Sequence, residues 1–390
     1  MRNQLKRTQA KQTGFTLVEL MIAVALSAIL LNGVIQLFVS SKQSYRVADG
    51  LGRMQETARY ALDVLAQDIR QAGFLPCRIS KNSAGIDQVA NVLNDNDGKF
   101  DFFGTPIQGF EGSVSTFPAE FPVVGSTPAN RLAGSDGLRL LKGGSDVYSV
   151  VSHNPPSAQF KLNASHSIED GDILLVCDHE NASIFQVTNA NQANVTIVHN
   201  SGTGTPGNCS KFLGYAGPGD CNVDDHAYGT GSQVVSFDSI IYYIGPSLSN
   251  EDSGRNIPDT NSLYRRSLGN NNGTNQFGAA QELVEGIETM QIVYGVAATP
   301  NGAAIRYTSA NNIPAAEWAN VVSVRIGLLL HTPEEVADTN DTRSYGIVGT
   351  SVSSQGTVSY PTDRRQRYVF SETIQIRNRG AGITFTEGRP

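Results

Sequence analysis

The sequence predicts an α+β protein in which a long N-terminal α-helix, first transmembrane and then amphipathic, packs on a large antiparallel β-sheet head domain. Three observations support this fold class. Residues 15–39 are almost uncharged and apolar, and residues 47–72 repeat apolar side chains every three to four positions. The rest consists of short β-branched and aromatic runs separated by Gly, Asn, Ser and Pro, without the strand–helix alternation of a doubly wound parallel sheet.

Composition excludes several protein classes. The chain has 390 residues, of which 39% are hydrophobic and 17% charged, so a coiled coil, a collagen and a charge-rich disordered chain are excluded. The net charge of −7 argues against a basic face for nucleic acid, and no nucleic-acid contact is expected. Four cysteines are too few for a disulfide scaffold, although they allow two bridges in an oxidising compartment.

The N-terminus has the charge pattern of a membrane anchor. Residues 15–39 contain one charged side chain, Glu19, and a helix of that length at about 1.5 Å per residue crosses a hydrocarbon layer of about 30 Å. A secretory signal peptide cut near Ser40 is the alternative, but no small-residue cleavage pattern follows the apolar run. The basic residues before it place the N-terminus in the cytoplasm and the head outside: Arg2, Lys6, Arg7 and Lys11.

The segment GFTLVELMIAVALSAIL, residues 14–30, resembles the N-terminus of type IV prepilins and pseudopilins. The resemblance implies that a dedicated membrane peptidase cuts between Gly14 and Phe15 and removes the basic leader 1–14. It also implies that the same enzyme methylates the new amine of Phe15, and that the hydrophobic helix stays on the mature protein. This part of major pilins commonly carries a helix-breaking Pro, whereas here Gly33 is the strongest breaker, so the continuity of the helix is left open.

Glu19 is the single charge in this apolar helix. An acidic side chain within a membrane span is costly and is a functional candidate by default. The resemblance implies that its carboxylate neutralises the N-terminal ammonium of a neighbouring subunit and sets the register between helices, because opposite charges attract strongly in a low-dielectric bundle. The alternative is a carboxylate that simply reaches the lipid headgroups.

The helix is expected to continue beyond the membrane as an amphipathic segment over 40–73. Its apolar stripe should pack against the globular head, which we assign to residues 74–390. Gly50 and Gly52 weaken the helix and are candidates for a soft joint, and Gly73 marks its end.

Five further segments are similar to minor pilins of the PilW family. J-type pseudopilins of type II secretion share a similar plan but are typically much shorter, which favours the pilus. The segments are ARYALDVLAQDIRQAGFLPC (58–77), LYRR (263–266), LVEGIETMQIVYG (283–295), VVSVRIGLLL (321–330) and RYVFSETIQIRNRG (367–380).

This resemblance implies a minor pilin that primes pilus assembly and sits at the filament tip, in motility, adhesion or DNA uptake. The implied partners are other minor pilins, the major pilin, the prepilin peptidase, the inner-membrane assembly platform and a large tip adhesin. The protein would lie in the inner membrane of a Gram-negative bacterium before assembly, and then at the pilus tip. The alternatives are a J-like pseudopilin at the tip of a secretion pseudopilus, or a membrane-tethered module that binds surfaces through loops 199–232 and 335–366.

No catalytic, cofactor or metal site is predicted. The chain lacks G-x-S-x-G, H-E-x-x-H, P-loop and C-x-x-C patterns. The acidic stretch 94–101 departs from an EF-hand loop at the first and last ligand positions, so a solvated turn is favoured over calcium. The motifs at 177–180 and 220–229 each place a His near carboxylates, and we interpret both histidines as structural.

The four cysteines allow three pairings outside the cytoplasm. Cys209 and Cys221 bracket a short loop rich in Gly, which favours a bridge between them and leaves Cys77 with Cys177. Other pairings and reduced thiols stay open at this point.

Overall fold

The computed structural model describes residues 14–77, 89–94, 105–113, 116–202, 204–215, 221–251, 259–271, 274–299, 302–356 and 358–378. One long apolar N-terminal helix is followed by a mostly antiparallel β-sheet region, which confirms the predicted fold class. The chain divides into two compact units, Met1–Gly52 and Arg53–Pro390.

Helix α1 covers Leu17–Gln71 without a break. It continues through Gly33 and through both glycines proposed as a soft joint, because a single glycine weakens a helix by only about 1 kcal/mol. Its end is set by Gly73, whose φ of 70° reverses the chain and whose N–H donates to the carbonyl of Leu141 at 2.9 Å.

Eighteen strands follow within the described ranges. They are β1 Val89–Asn91, β2 Ile107–Phe110, β3 Gly137–Asn154, β4 Gln159–Leu162, β5 Ile173–Cys177, β6 Ala182–Gln186, β7 Asn189–Asn191, β8 Thr196–Val198, β9 Gln233–Pro246, β10 Asn261–Asn271, β11 Thr274–Phe277, β12 Gln281–Glu285, β13 Ile287–Ala297, β14 Ala304–Thr308, β15 Val321–His331, β16 Ser344–Ile347, β17 Thr350–Ser353 and β18 Arg367–Gln375. Short 3-10 helices occur at Pro155–Ser157, Leu248–Glu251, Ala310–Asn312 and Ala315–Asn320.

The strands form three sheets in the described part of the chain. The largest has the order β1-β6-β5-β9-β3-β4-β8-β7, with β2 on β3, β10 on β9, and β11 and β12 on β10. The second has four antiparallel strands in the order β14-β13-β15-β18. The third is the hairpin β16–β17.

Two details differ from the sequence expectation. In the sequence, GLRLL (137–141) and DVYSVV (146–151) have the pattern of two separate strands, but both belong to the single strand β3, whose pairing with β9 shifts register between Gly143 and Val147. Strands β1 and β6 pair in parallel. An irregularity inside a long strand and a glycine-containing turn between two strands give the same local sequence signal, so the sequence did not separate them.

Within the second unit, the last five turns of α1 share one core with the large sheet and the four-stranded sheet. The helix contributes small side chains as well as large ones, which lets its backbone approach the strands closely. Buried residues recur along it at three- and four-residue intervals, as an amphipathic helix requires: Met54, Ala58, Ala61, Leu65 and Ile69, followed by Ala72 just beyond its end.

Candidate assembly site

The residues at the predicted cleavage site lie just before α1. Phe15 is 88% exposed, and a Cβ atom on Gly14 would meet no other atom within 4 Å. The fold therefore places no steric demand for glycine at position 14. A requirement for glycine at this position would therefore come from a processing enzyme. Cleavage and methylation at this site remain predictions. Leader residues 1–13 lie outside the described residues.

Glu19 and Thr16 form a reciprocal cap at the start of α1. The backbone N–H and the hydroxyl of Thr16 both donate to Oε2 of Glu19 at 3.2 Å, and the N–H of Glu19 donates to the Thr16 hydroxyl at 3.3 Å. This is the capping box S/T-x-x-E, which pairs free N–H groups and places a negative charge at the positive end of the helix dipole. The carboxylate is thereby oriented toward the N-terminal end of the chain.

The N-terminal part of α1 that follows is apolar and exposed. Its most apolar 18-residue window has a mean hydropathy of 2.3, and none of that window is buried by the rest of the described chain. Length and composition therefore fit a membrane span. The hydroxyl of Ser27 donates to the carbonyl of Ala23 at 2.7 Å, so this polar group is satisfied within the helix.

Two disulfide bonds tie the head together, and the predicted presence of disulfides is confirmed. Cys77, six residues beyond the last residue of α1, is bonded to Cys177 at the end of β5, across a sequence separation of 100. Cys209 is bonded to Cys221, with a separation of 12, within the loop 199–232. The first bond therefore fixes the end of the helix segment to the large sheet.

The two histidine motifs meet at one open cavity of 660 Å³ beside Cys77. Nε2 of His226 lies 2.7 Å from a carboxylate oxygen of Asp178, and Nδ1 lies 3.2 Å from the side-chain nitrogen of Asn181. Burial raises the pKa of Asp178, but hydrogen bonds from Asn181, His226 and Glu180 outweigh it and lower the pKa overall. Both ring nitrogens of His226 are engaged, so this imidazole has no nitrogen available as a general base or metal ligand.

No group of three or more His, Cys, Asp or Glu that could hold a metal occurs among the described residues. The acidic stretch considered for calcium, 94–101, lies outside them except for its first residue.

A second pair of histidines, the buried His199 and the half-buried His153, lies at the start of the loop 199–232. Nε2 of His153 lies 3.1 Å from Nε2 of His199, and His153 stacks on Phe160 at 4.0 Å between ring centroids. Burial, with the neighbouring histidine charge second, lowers the pKa of His199 to about 3, and burial likewise lowers that of His153 to about 4. Both rings are therefore neutral at pH 7 and serve as packing groups.

The loop 335–366 is held to the four-stranded sheet by Arg367. Its guanidinium, with no exposed side-chain area, bonds Oε1 of Glu288 at 2.8 Å and the carboxylate of Asp363 at 2.8 and 3.0 Å. Asp341 lies 3.6 Å away, and the Tyr360 ring faces the guanidinium at 4.3 Å. This buried cation therefore joins Asp341 and Asp363 of the loop to Glu288 of the four-stranded sheet.

Thr16 and Arg367 are functional residues that the sequence patterns above did not predict. Thr16 was recognisable, because the spacing of Thr and Glu before an apolar run is a helix-start pattern. Arg367 was not recognisable, because its partner Glu288 is 79 residues away in the chain.

Two comparisons identify the class of protein. Residues 9–32 match the prokaryotic N-terminal methylation motif, and residues 241–378 match type IV pilus-assembly protein W. No curated protein and no solved structure matches the chain. A methylation motif, an exposed apolar helix and a sheet head together define a type IV pilin-like protein. Its C-terminal third carries the PilW family region, which confirms the resemblance seen in the sequence.

These findings support membrane anchoring and association with a pilus. Domains of this family are structural rather than catalytic, and their partners in general are components of the pilus machinery.

Proposed function

We propose that the chain is a minor pilin that primes the assembly of a type IV pilus and occupies the filament tip, with other minor pilins and the major pilin as neighbours. The observation that carries this proposal is the combination of a pilin-type helix with an unusually large head. Residues 74–390 correspond to a radius of gyration of about 20 Å, whereas a head of about 115 residues would have about 13 Å.

The size of the head restricts its place in a filament. If helices bundle along the axis and heads tile the outside, an oversized head collides with the subunits above or beside it. At the tip one side is free, so the collision disappears. A tip subunit of a secretion pseudopilus meets the same geometric condition, but the family matched over 241–378 is a pilus-assembly family, which favours the pilus.

The helix start supplies a chemical reason for co-assembly. Once the leader is removed, the ammonium group of Phe15 lies next in the chain to the Thr16–Glu19 cap. In a helix bundle the Glu19 carboxylate, already oriented toward this end, would pair with the ammonium of a neighbouring subunit. The low dielectric of the bundle strengthens this attraction well beyond its value in water.

The test compares two variants in sheared filaments. Glu19→Ala removes both the cap and the charge, whereas Thr16→Ala removes the cap, worth about 1 kcal/mol of helix stability, and keeps the carboxylate. We expect both proteins to be cleaved and inserted in the membrane. Glu19→Ala should be lost from filaments, and Thr16→Ala should largely be retained. Equal loss for both would assign Glu19 a capping role only, and retention of Glu19→Ala would contradict the proposed pairing.

A second candidate role rests on the loop 335–366. The Arg367 cluster joins this loop to the four-stranded sheet, and a loop restrained in this way loses less conformational entropy when it binds. A tip subunit with this loop exposed to the surroundings would serve as a surface-binding module as well as a structural one. Substitutions of exposed loop residues should then reduce attachment of cells without changing the number of filaments. Unchanged attachment would contradict this role.

A further inference from the structure

Three oxygen-bearing side chains lie in segments that hydrogen bonds bring together between the large sheet and the four-stranded sheet. Glu111 follows β2, Asp136 directly precedes β3, and Tyr294 lies in β13. The Asp136 carboxylate accepts the N–H of Gly112 at 2.8 Å through Oδ1 and the N–H of Ile292 at 2.8 Å through Oδ2. This carboxylate therefore connects β13 to the segment that follows β2.

The cluster has two acids and no basic partner among the described residues. Asp136 is 4% exposed and Tyr294 is 1% exposed, while Glu111 is half-buried. Burial, with a smaller contribution from the Glu111 charge and against the bonds from the Gly112 and Ile292 N–H groups, raises the pKa of Asp136 to about 7. Burial also raises the pKa of Glu111, against a hydrogen bond from Ser309. Two neighbouring buried carboxylates do not stay ionised together without a proton or a cation.

Two oxygen atoms without hydrogen-bond partners favour a bound cation over an added proton. Oε2 of Glu111 and the hydroxyl of Tyr294 are buried, and neither has a hydrogen-bond partner. Burial raises the pKa of Tyr294 well above its ordinary value, and the charges of Asp136 and Glu111 raise it further. A single added proton would not engage both oxygens and neutralise both acids, whereas a divalent cation does both. Each Asp136 oxygen keeps a lone pair after accepting one N–H.

We propose that Glu111, Asp136 and Tyr294 form a binding site for a hard divalent cation of the calcium class, which links the two sheets. All the donors are oxygen atoms, as calcium requires, and calcium tolerates the irregular geometry imposed by the backbone bonds of Asp136 better than magnesium does. Glu111 is half-buried, so solvent reaches its side of the cluster, and Ser309 is its hydrogen-bond partner there. With two carboxylates the affinity should be modest, with Kd in the range of about 0.1–1 mM.

Trp318 makes this site directly observable. It is the one tryptophan of the chain, and its ring lies 5.0 Å from the ring of Tyr294. Terbium is an oxygen-seeking analogue of calcium whose emission is sensitised by a nearby indole. In the full mature chain in detergent, excitation of Trp318 should produce terbium emission that calcium displaces. Calcium at 10 mM, compared with chelator, should raise the Tm by about 2–5 °C.

Three variants make the test specific. Glu111→Gln and Asp136→Asn should each reduce the terbium emission at least tenfold and abolish the rise in Tm. Asp225→Asn, at an exposed acid elsewhere in the head, should change neither. Glu111 is only half-buried, so its variant stays informative even if the Asp136 variant folds poorly.

Two results would overturn the proposal. One is the absence of tryptophan-sensitised emission from the unmodified protein, which would leave the cluster to a shared proton. The other is emission that persists in both Glu111→Gln and Asp136→Asn, which would place terbium at other acids, such as those of the stretch 94–101.

Discussion

Replacing Arg367 with Met should strongly destabilise the loop 335–366. The substitution keeps an apolar stem of similar length and removes the guanidinium that bonds Glu288 and Asp363 at 2.8 Å each. It leaves Glu288 buried without its cation, whereas Asp341 keeps Arg343 at 3.0 Å and Asp363 keeps Arg365 at 3.8 Å. Breaking a buried ion pair by removing one partner costs about 3–5 kcal/mol, so we expect a loss of stability in that range.

The matched control is Arg364→Met, three positions earlier. Arg364 bonds Glu335 at 2.7 Å, but its side chain is 52% exposed, so this ion pair is screened by solvent and contributes little to stability. The assay is urea unfolding of the mature chain in detergent, followed by the fluorescence of Trp318, which belongs to the same core as the four-stranded sheet. For an m-value of about 3 kcal/mol/M, the Arg367 variant should unfold at least about 1 M earlier than wild type.

Hydrogen exchange locates the effect. Amides of the loop 335–366 should exchange faster in the Arg367 variant, while those of β13 and β15 should change less. If Arg367→Met unfolds at the same urea concentration as Arg364→Met, the buried cluster does not hold the loop and the reasoning is refuted.

Three further predictions concern other parts of the chain. Intact-mass measurement of membrane-extracted protein should show the loss of residues 1–14 and one added methyl on Phe15. Stability should fall as the pH decreases from about 6.5 toward 4, because the pKa of the buried His199 is lowered to about 3 and the unfolded chain binds a proton that the folded chain does not. His199→Gln should flatten this dependence. Replacing Cys77 and Cys177 together by Ser should cost about 4–5 kcal/mol, because their bond closes a loop with a sequence separation of 100.

Each of these predictions has a clear contradicting result. A full-length N-terminus, or a cut near Ser40, would exclude pilin-type processing. An unchanged pH profile in His199→Gln would show that other groups cause the acid sensitivity. Stability of the double Ser variant within about 1 kcal/mol of the oxidised wild type would show that the helix end is held by packing alone.

The features of the N-terminal helix could be predicted because their signals are local in sequence. The apolar run 15–39 and the three-to-four-residue repeat after it each specify a helix within one segment. The processing motif is equally local. The capping pattern of Thr16 and Glu19 is local as well, although it was not predicted. Short Gly- and Asn-rich breaks likewise predict where many strands begin and end. They do not predict that β3 is one continuous strand.

The remaining features depend on contacts between distant segments. Asp136 receives a hydrogen bond from Ile292, 156 residues away, and Arg367 reaches Glu288 across 79 residues. Such pairings follow from sheet order and register, which alternating apolar patterns leave undetermined. The pairing of Asp178 with His226 was unpredictable for the same reason, because the segments 177–180 and 220–229 become neighbours only in the folded head.

The position of the head in native filaments tests the central claim most directly. Gold-labelled Fab fragments against the head, imaged by electron microscopy on unsheared pili, report where the subunit lies. The account predicts label at one end of each filament and none along the shaft. Regular label along the shaft, at a ratio near that of the major pilin, would contradict it.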